Sequence, residues 1–353
     1  MTDPLSRILD HLAPLVAADS RNPPREVAPD GPLVAAVRAG LPGFEVHVTD
    51  LGGGSVIVDA RRGRPDVLFN VHLDTVPAAQ GWSRDPHDLL RAEDRCVGLG
   101  ACDIKGAAAV LFALAEETDA PMRLVLTTDE EAGQSWCVRS FLETPPDVAL
   151  VVVAEPTLAR AVTEHRGLVS ASARFEGRSA HASEAVTSSA THDAARWVAA
   201  CLDTEAGPAN RLNFGRVEGG VKPNMVAASC EVLFGFRARP GTDHEGVLAA
   251  LRGLAPDARH ATRFTGPALP SDADGLAAAA QGRAAETVRA MGLAPGEPVD
   301  FWTEASLFAA AGVPATVLGP GAIAQAHTAD EWVAYESLLA AYDAYARVVS
   351  HGV

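Results

Sequence analysis

The sequence predicts an α/β protein: one domain around a mostly parallel mixed sheet, carrying an inserted, smaller ferredoxin-like α+β domain. Three observations lead there. Four apolar, β-branched runs alternate with helical patterns, as in a parallel sheet buried on both faces. Between about residues 164 and 270 the order becomes strand, helix, strand, strand, helix, strand, that of the split ferredoxin-like unit. A histidine or glutamate also follows the carboxyl end of each apolar run, the place where open α/β sheets bind ligands. The expected division is 1–163, 164–270 and 271–353, with the outer two segments forming one domain.

In chain order, Leu5, Ile8, Leu9, Leu12 and Val16 recur at helical spacing behind Asp3-Pro4, and Leu33 to Ala39 reads as a second helix. Glu45 to Val48 and Ser55 to Asp59 flank Gly52-Gly-Gly54 as a hairpin. Asp66 to Val71 is a buried strand ending at His72-Leu73-Asp74. After a polar, turn-rich segment, Arg91 to Arg95, Gly98-Leu-Gly-Ala-Cys-Asp103-Ile-Lys-Gly106 forms an exposed turn into the apolar helix Ala107 to Ala115. The strand Met122 to Thr127 ends in Asp129-Glu130-Glu131, and Val148 to Val153 ends at Glu155-Pro156. In the insert, Gly167 to Phe175, Leu212 to Val217, Ser229 to Arg237 and Arg259 to Phe264 read as strands. Ala190 to Leu202 and His244 to Leu254 read as its helices. Its four-stranded sheet has open edges, which suits it to dimerisation. The strand Ala315 to Leu318 then precedes His327, and Ser337 to Val349 closes the chain as a helix.

The 353 residues are 48% hydrophobic and 21% charged, with a formal net charge of −16. That acidity argues against nucleic acid and anionic membranes as partners, because both are bound through clustered Lys and Arg. Five cysteines (Cys96, Cys102, Cys137, Cys201, Cys230), odd in number and without CxxC spacing, fit a reducing, cytoplasmic compartment with no disulfide framework and no zinc ribbon. Cys102 is expected as a buried small residue. No apolar run approaches the ~18 residues of a membrane span, and the N-terminus reads as an amphipathic helix, not a leader.

His72, Asp103, Glu131, Glu155 and His327 make a set of two imidazoles and three carboxylates. Mixed nitrogen and oxygen donors suit zinc, cobalt or manganese, whereas calcium takes oxygen alone. Asp103 is the natural bridge between two divalent cations, His72 and Glu155 holding one and His327 and Glu131 the other. Asp74 stands two residues from His72 and is expected to accept the proton on its other ring nitrogen. Glu130 and Glu131 cannot share one metal from one turn, so Glu131 ligates and Glu130 is the general base for a water attacking an amide. Each residue alone has a plainer role: a core histidine, a turn aspartate, a solvated acid pair. Their joint placement at strand ends favours the metal reading, since uncompensated buried carboxylates are costly.

With those residues in place the sequence resembles the dinuclear-metal M20 peptidase and deacylase family over nearly its whole length. The likeness is carried by His72-Leu-Asp74-Thr-Val-Pro, the Gly98 to Gly106 run, Thr128-Asp-Glu130-Glu131 and Ala154-Glu155-Pro-Thr. Phe301-Trp-Thr-Glu-Ala-Ser and the run from Leu318 to Glu331 point to the members that deacetylate amino acids in arginine biosynthesis. The resemblance implies a catalytic domain with an inserted dimerisation domain, a homodimer, and a small N-acetyl amino acid as substrate. It implies that His181, in Gly177-Arg-Ser-Ala-His181, reaches the partner's site to stabilise the oxyanion. It further implies that Asn224 and Arg237 contact substrate, Arg237 suiting a carboxylate. The ornithine-type members show Asp-Ile-Arg where this chain has Gly235-Phe236-Arg237, which favours N-acetyl-L-citrulline, with N-acetyl-L-ornithine next. The ligand set is silent on other acyl amino acids or peptides. A non-catalytic relative would have no use for Glu130, and phosphoester hydrolysis would be expected to bring more basic residues near the ligands.

Overall fold

In the computed structural model the chain forms two units, one from Met1–Thr163, Ala273–Pro298 and Thr303–Val353, the other from Glu164–Asp272 and Val299–Trp302. The structure describes residues 3–24, 26–133, 135–184, 188–271 and 275–351.

Helix α1 (Pro4–Ala17) starts on Pro4, in the first turn where no amide donor is needed, and buries Ile8, Leu9, Leu12, Leu15 and Val16. Helix α2 (Pro32–Gly40) uses Pro32 in the same way. It ends at Gly40, where a Cβ would sit 2.4 Å from the Phe112 ring. Strands β1 (Glu45–Asp50) and β2 (Val56–Arg62) form an antiparallel hairpin whose turn glycines, Gly52, Gly53 and Gly54, all have positive φ. Strand β3 (Val67–His72) is buried throughout. Short strands β4 (Leu90–Arg91) and β5 (Arg95–Val97) precede helix α3 (Lys105–Glu117), which is buried on every side from Lys105 to Ala115. This is why its pattern lacks a polar face. Strand β6 (Met122–Thr127), helix α4 (Trp136–Phe141) and strand β7 (Leu150–Val153) follow.

The second unit runs β8 (Leu168–Glu176), α5 (Ala190–Leu202), α6 (Ala206–Ala209), β9 (Asn213–Gly219), β10 (Ser229–Phe236), α7 (His244–Gly253) and β11 (Arg259–Gly266). The chain then returns through α8 (Leu276–Ala290), α9 (Ala305–Ala310), β12 (Ala315–Val317), β13 (Trp332–Ala334) and α10 (Tyr335–His351).

Among the described residues the first unit holds a six-stranded sheet ordered β1-β2-β6-β3-β7-β12. Strands β6, β3, β7 and β12 are parallel, and β2 runs antiparallel to β6. Register brings the chemistry to one level: His72 pairs with Thr127, and Asn70 pairs with Val153, so His72 stands level with Glu155. On one face Phe69, Val71, Leu124, Leu126 and Val152 join Ile8, Leu12, Leu111 and Tyr345 in a single apolar cluster. Helices α8 and α9 pack towards β12.

The second unit's sheet is ordered β11-β8-β10-β9, antiparallel throughout, in the expected ferredoxin-like arrangement. Its core is Phe175, Trp197, Phe234, Leu248 and Leu251, and the Trp197 Nε1–H donates to the Leu251 carbonyl at 2.8 Å. Ala92 to Asp94, within the segment expected as a polar turn, forms the turn of a short hairpin, β4-β5, and β13 pairs with β5 to complete a small antiparallel sheet. Its third strand comes from more than 200 residues away, so no local pattern announces it. Helices α8 and α9 were likewise not anticipated. Among the described residues no helix is long and apolar enough to cross a membrane, and all five cysteines are buried and unbridged.

Candidate metal centre

Three strand ends and two loops of the first unit bring five donors together. His72 ends β3, Glu131 and Glu155 follow β6 and β7, Asp103 precedes α3, and His327 lies between β12 and β13. His72 Nε2 is 3.1 Å from Asp103 Oδ1 and 3.4 Å from Glu155 Oε1. His327 Nε2 is 3.0 Å from Glu131 Oε1 and 3.3 Å from Asp103 Oδ2. Asp103 thus turns one oxygen to each imidazole. Nitrogen and oxygen ligands about 2.1 Å from a tetrahedral cation lie ~3.4 Å from one another, so this spacing is that of a ligand shell. Donor atoms of His72, Asp103 and Glu131 all lie within 4.8 Å of one another.

The electrostatics agree. Four acids, Asp103, Glu130, Glu131 and Glu155, surround two imidazoles. Burial, then Asp103, pushes Glu155 up to about 7. Burial also raises Glu131, against the hydrogen bond from His327. Glu130 is raised well above its ordinary value, by burial first and then by Glu131 and Glu155, with His72 opposing. Burial works against the Asp103 carboxylate, but hydrogen bonds from His327 and His72 hold it low. Hydrogen bonds to Asp103 and Glu131 push the half-exposed His327 up to about 11. This surplus of acid is what a divalent cation would neutralise, and the mixed donors suit zinc, cobalt or manganese.

Supports behind the donors are equally specific. The Asp74 carboxylate lies beside His72 Nδ1 at ion-pair distance, and its main-chain carbonyl is nearer still. His72 Nδ1 is 3.1 Å from the Asp74 main-chain carbonyl and 3.6 Å from its Oδ1. The buried carboxylate also accepts the backbone N–H groups of Glu130, at 3.3 Å, and Glu131, at 3.0 Å. Asp74 therefore orients the turn that carries both glutamates. Asp103 is not a helix cap: α3 begins after Ile104 without a side-chain cap. His327 and Asp330 have φ of +60° and +55°, a region that His and Asp tolerate better than most residues.

Three buried charges escaped the sequence reading. Glu331 receives three backbone N–H groups of the Asp103 loop. Lys105 is fully buried and donates from Nζ to the Ala18 carbonyl at 3.0 Å. Glu304, at the start of α9, is 1% exposed and feels Asp129, His72 and Asp74. All three stand inside the motif runs quoted above, Lys105 before Gly106, Glu304 after Thr303 and Glu331 at the end of the last run, but nothing local marks an inward-facing charge.

His181, Asn224 and Arg237 belong to the second unit. His181 and Asn224 are brought together there: the strand-like bridge His181–Met225 is held by Ala182 N–H to the Asn224 carbonyl at 3.0 Å. His181 itself is exposed, with Nδ1 2.6 Å from Ser183 Oγ. Arg237 follows β10 and lines a cavity of about 350 Å³ with Arg211, Phe234 and Phe236.

The family model described as peptidase family M20/M25/M40 matches residues 68–351, the span that contains every donor named above. The chain belongs to that family. An N-acetyl-L-citrulline deacetylase of Xanthomonas campestris pv. campestris is 46% identical over 99% of both chains. An acetylornithine deacetylase of Vibrio vulnificus is 29% identical over 83% of this chain and 84% of its own. The crystal structure of an M20 metallo-carboxypeptidase from Sulfolobus solfataricus superimposes with a TM-score of 0.72 at 14% identity, covering 99% of each chain. M20 membership agrees with the fold and with a His/Asp/Glu metal site.

Proposed function

We propose that this M20 enzyme hydrolyses the amide bond of an N-acetyl amino acid in arginine biosynthesis, N-acetyl-L-citrulline first and N-acetyl-L-ornithine next. The observation that carries the reading is 46% identity, over 99% of both chains, to a deacetylase of N-acetyl-L-citrulline. The five-donor cluster supports it. His72, Glu155, His327 and Glu131 would hold two divalent cations, zinc or cobalt, with Asp103 contributing to both. When bound, such cations polarise a carbonyl oxygen and bring the pKa of a water towards neutrality.

The remaining work falls to the chain's own groups. Glu130, oriented through its backbone N–H by Asp74, takes the proton of the attacking water on its carboxylate and delivers it to the departing amine. A carboxylate buried beside the donors, without being one of them, is placed for that proton transfer. The reading includes a cytoplasmic homodimer in which His181 of the partner subunit stabilises the tetrahedral oxyanion. Asn224 contacts the substrate, and the Arg237 guanidinium takes its α-carboxylate through paired hydrogen bonds.

The test is acetate release from N-acetyl-L-citrulline and N-acetyl-L-ornithine, side by side, with zinc- or cobalt-loaded protein. Preference for the citrulline derivative supports the proposal, and preference for the ornithine derivative keeps the reaction but refutes the substrate. Inactivity on both refutes the deacetylase reading.

A further inference from the structure

We propose that Glu331 is the positioning residue of the metal centre: its carboxylate presets the 98–103 loop so that Asp103 turns one oxygen towards each imidazole. The proposal rests on the dinuclear reading above and deepens it. Glu331 is 1% exposed. Its Oε1 accepts the backbone N–H of Cys102 at 2.8 Å and of Asp103 at 3.0 Å, and its Oε2 accepts that of Gly100 at 3.1 Å. Three amides within four residues converge on one carboxylate, an anion cradle formed by the backbone itself. The Glu331 main-chain carbonyl accepts the Gly98 N–H at 3.0 Å, where β13 pairs with β5. The residue is thus fastened to the loop from both its side chain and its backbone.

The loop needs such an outside partner. It contains Gly98 and Gly100, the latter at φ +77°, and its own residues supply no side chain to those amides. Charge-assisted bonds of this kind are about twice as strong as neutral ones. Glu331 also lies four residues beyond His327 on the same segment. One side chain therefore locks the loop bearing the bridging carboxylate to the loop bearing a donor from the far end of the sequence. Donors fixed before the cation arrives cost less ordering on binding. Burial and the nearby Asp103 push Glu331 up to about 7, and the three amides work against that rise by favouring its carboxylate.

The substitutions follow from the geometry. Glu331→Gln keeps one acceptor oxygen but turns an NH₂ towards a backbone N–H, whereas Glu331→Asp keeps the charge and draws both oxygens back by one methylene. Cobalt is titrated into metal-free protein while its visible absorption, which reports coordination geometry, is recorded, and kcat and KM are measured on the loaded enzyme. Glu331→Gln is expected to bind cobalt 10–100-fold more weakly, with altered bands and a lower kcat at little-changed KM. Glu331→Asp should fall between Gln and wild type. A purely structural role would lower the melting temperature and leave the cobalt bands unchanged. Folded Glu331→Gln with wild-type affinity and bands overturns the proposal. If that variant does not fold, Glu331→Asp with wild-type affinity and bands does the same. Wild-type protein that takes up no cobalt would remove the metal centre itself, a failure distinct from that of Glu331 alone.

Discussion

Replacing Glu304 with Gln should stabilise the metal-free protein at high pH and change it little near pH 5. Glu304 is 1% exposed at the start of α9, and among the described residues its Oε1 lacks a hydrogen-bond partner within normal distance. Burial, reinforced by Asp129, raises its carboxyl from the ordinary 4.5 to about 8. The folded protein therefore keeps a proton that the unfolded chain releases above pH 4.5. Between about pH 4.5 and 8 the native state binds more protons, so this group makes stability fall as pH rises through that window. Above pH 8 the accumulated cost is ~5 kcal/mol, equivalent to about 7 °C in melting temperature for a chain of 353 residues. Gln cannot ionise and escapes that cost. Scanning calorimetry of chelator-treated wild-type and Glu304→Gln protein from pH 5 to 9 measures the difference. Curves that converge near pH 5 and separate towards pH 9, with the variant higher, are expected. Parallel curves would refute the assignment of a buried, proton-holding carboxyl.

Other expectations follow from the same contacts. Asp74→Asn leaves one amide of the Glu130–Glu131 turn without its acceptor, so kcat should drop 10–100-fold with KM changing less; wild-type kinetics would show the turn holds without it. Gly319→Ala places a Cβ 2.1 Å from the Ala154 carbonyl and 2.6 Å from that of Glu155. This should destabilise by ~1–3 kcal/mol and loosen Glu155, and an unchanged melting temperature would contradict that close approach. His181→Ala and Glu130→Gln should each be nearly inactive, yet mixing the two and letting subunits exchange should restore roughly a quarter of wild-type activity in a two-fold dimer. No recovery on confirmed exchange would sink the role of His181 across subunits.

The strand runs were legible because each is apolar on both faces, and β3, β6 and β7 carry a His or Glu at the end facing the site. The positions of His72, Glu131 and Glu155 therefore followed from periodicity and from where parallel sheets bind ligands. Asp103 was legible from its glycine-rich loop. What stayed hidden depends on distant partners. The segment Arg91 to Arg95 was legible as a turn, whereas β13, which arrives from the far end of the chain to pair with β5, was not. The Asp74 carboxylate lies beside His72, but its second task, holding the amides of the turn after β6, has no local signal. Glu304 and Glu331 read as ordinary acids, since the sequence does not show which carboxylates the fold turns inward.

The central claim is that Glu130 acts as the base beside a bound-metal cluster that it does not itself ligate. The most direct measurement is metal content together with turnover of N-acetyl-L-citrulline for Glu130→Gln beside wild type. The account predicts equal metal content and a 10²–10⁴-fold loss of kcat. Turnover within a few-fold of wild type, or loss of metal from the variant, would contradict it.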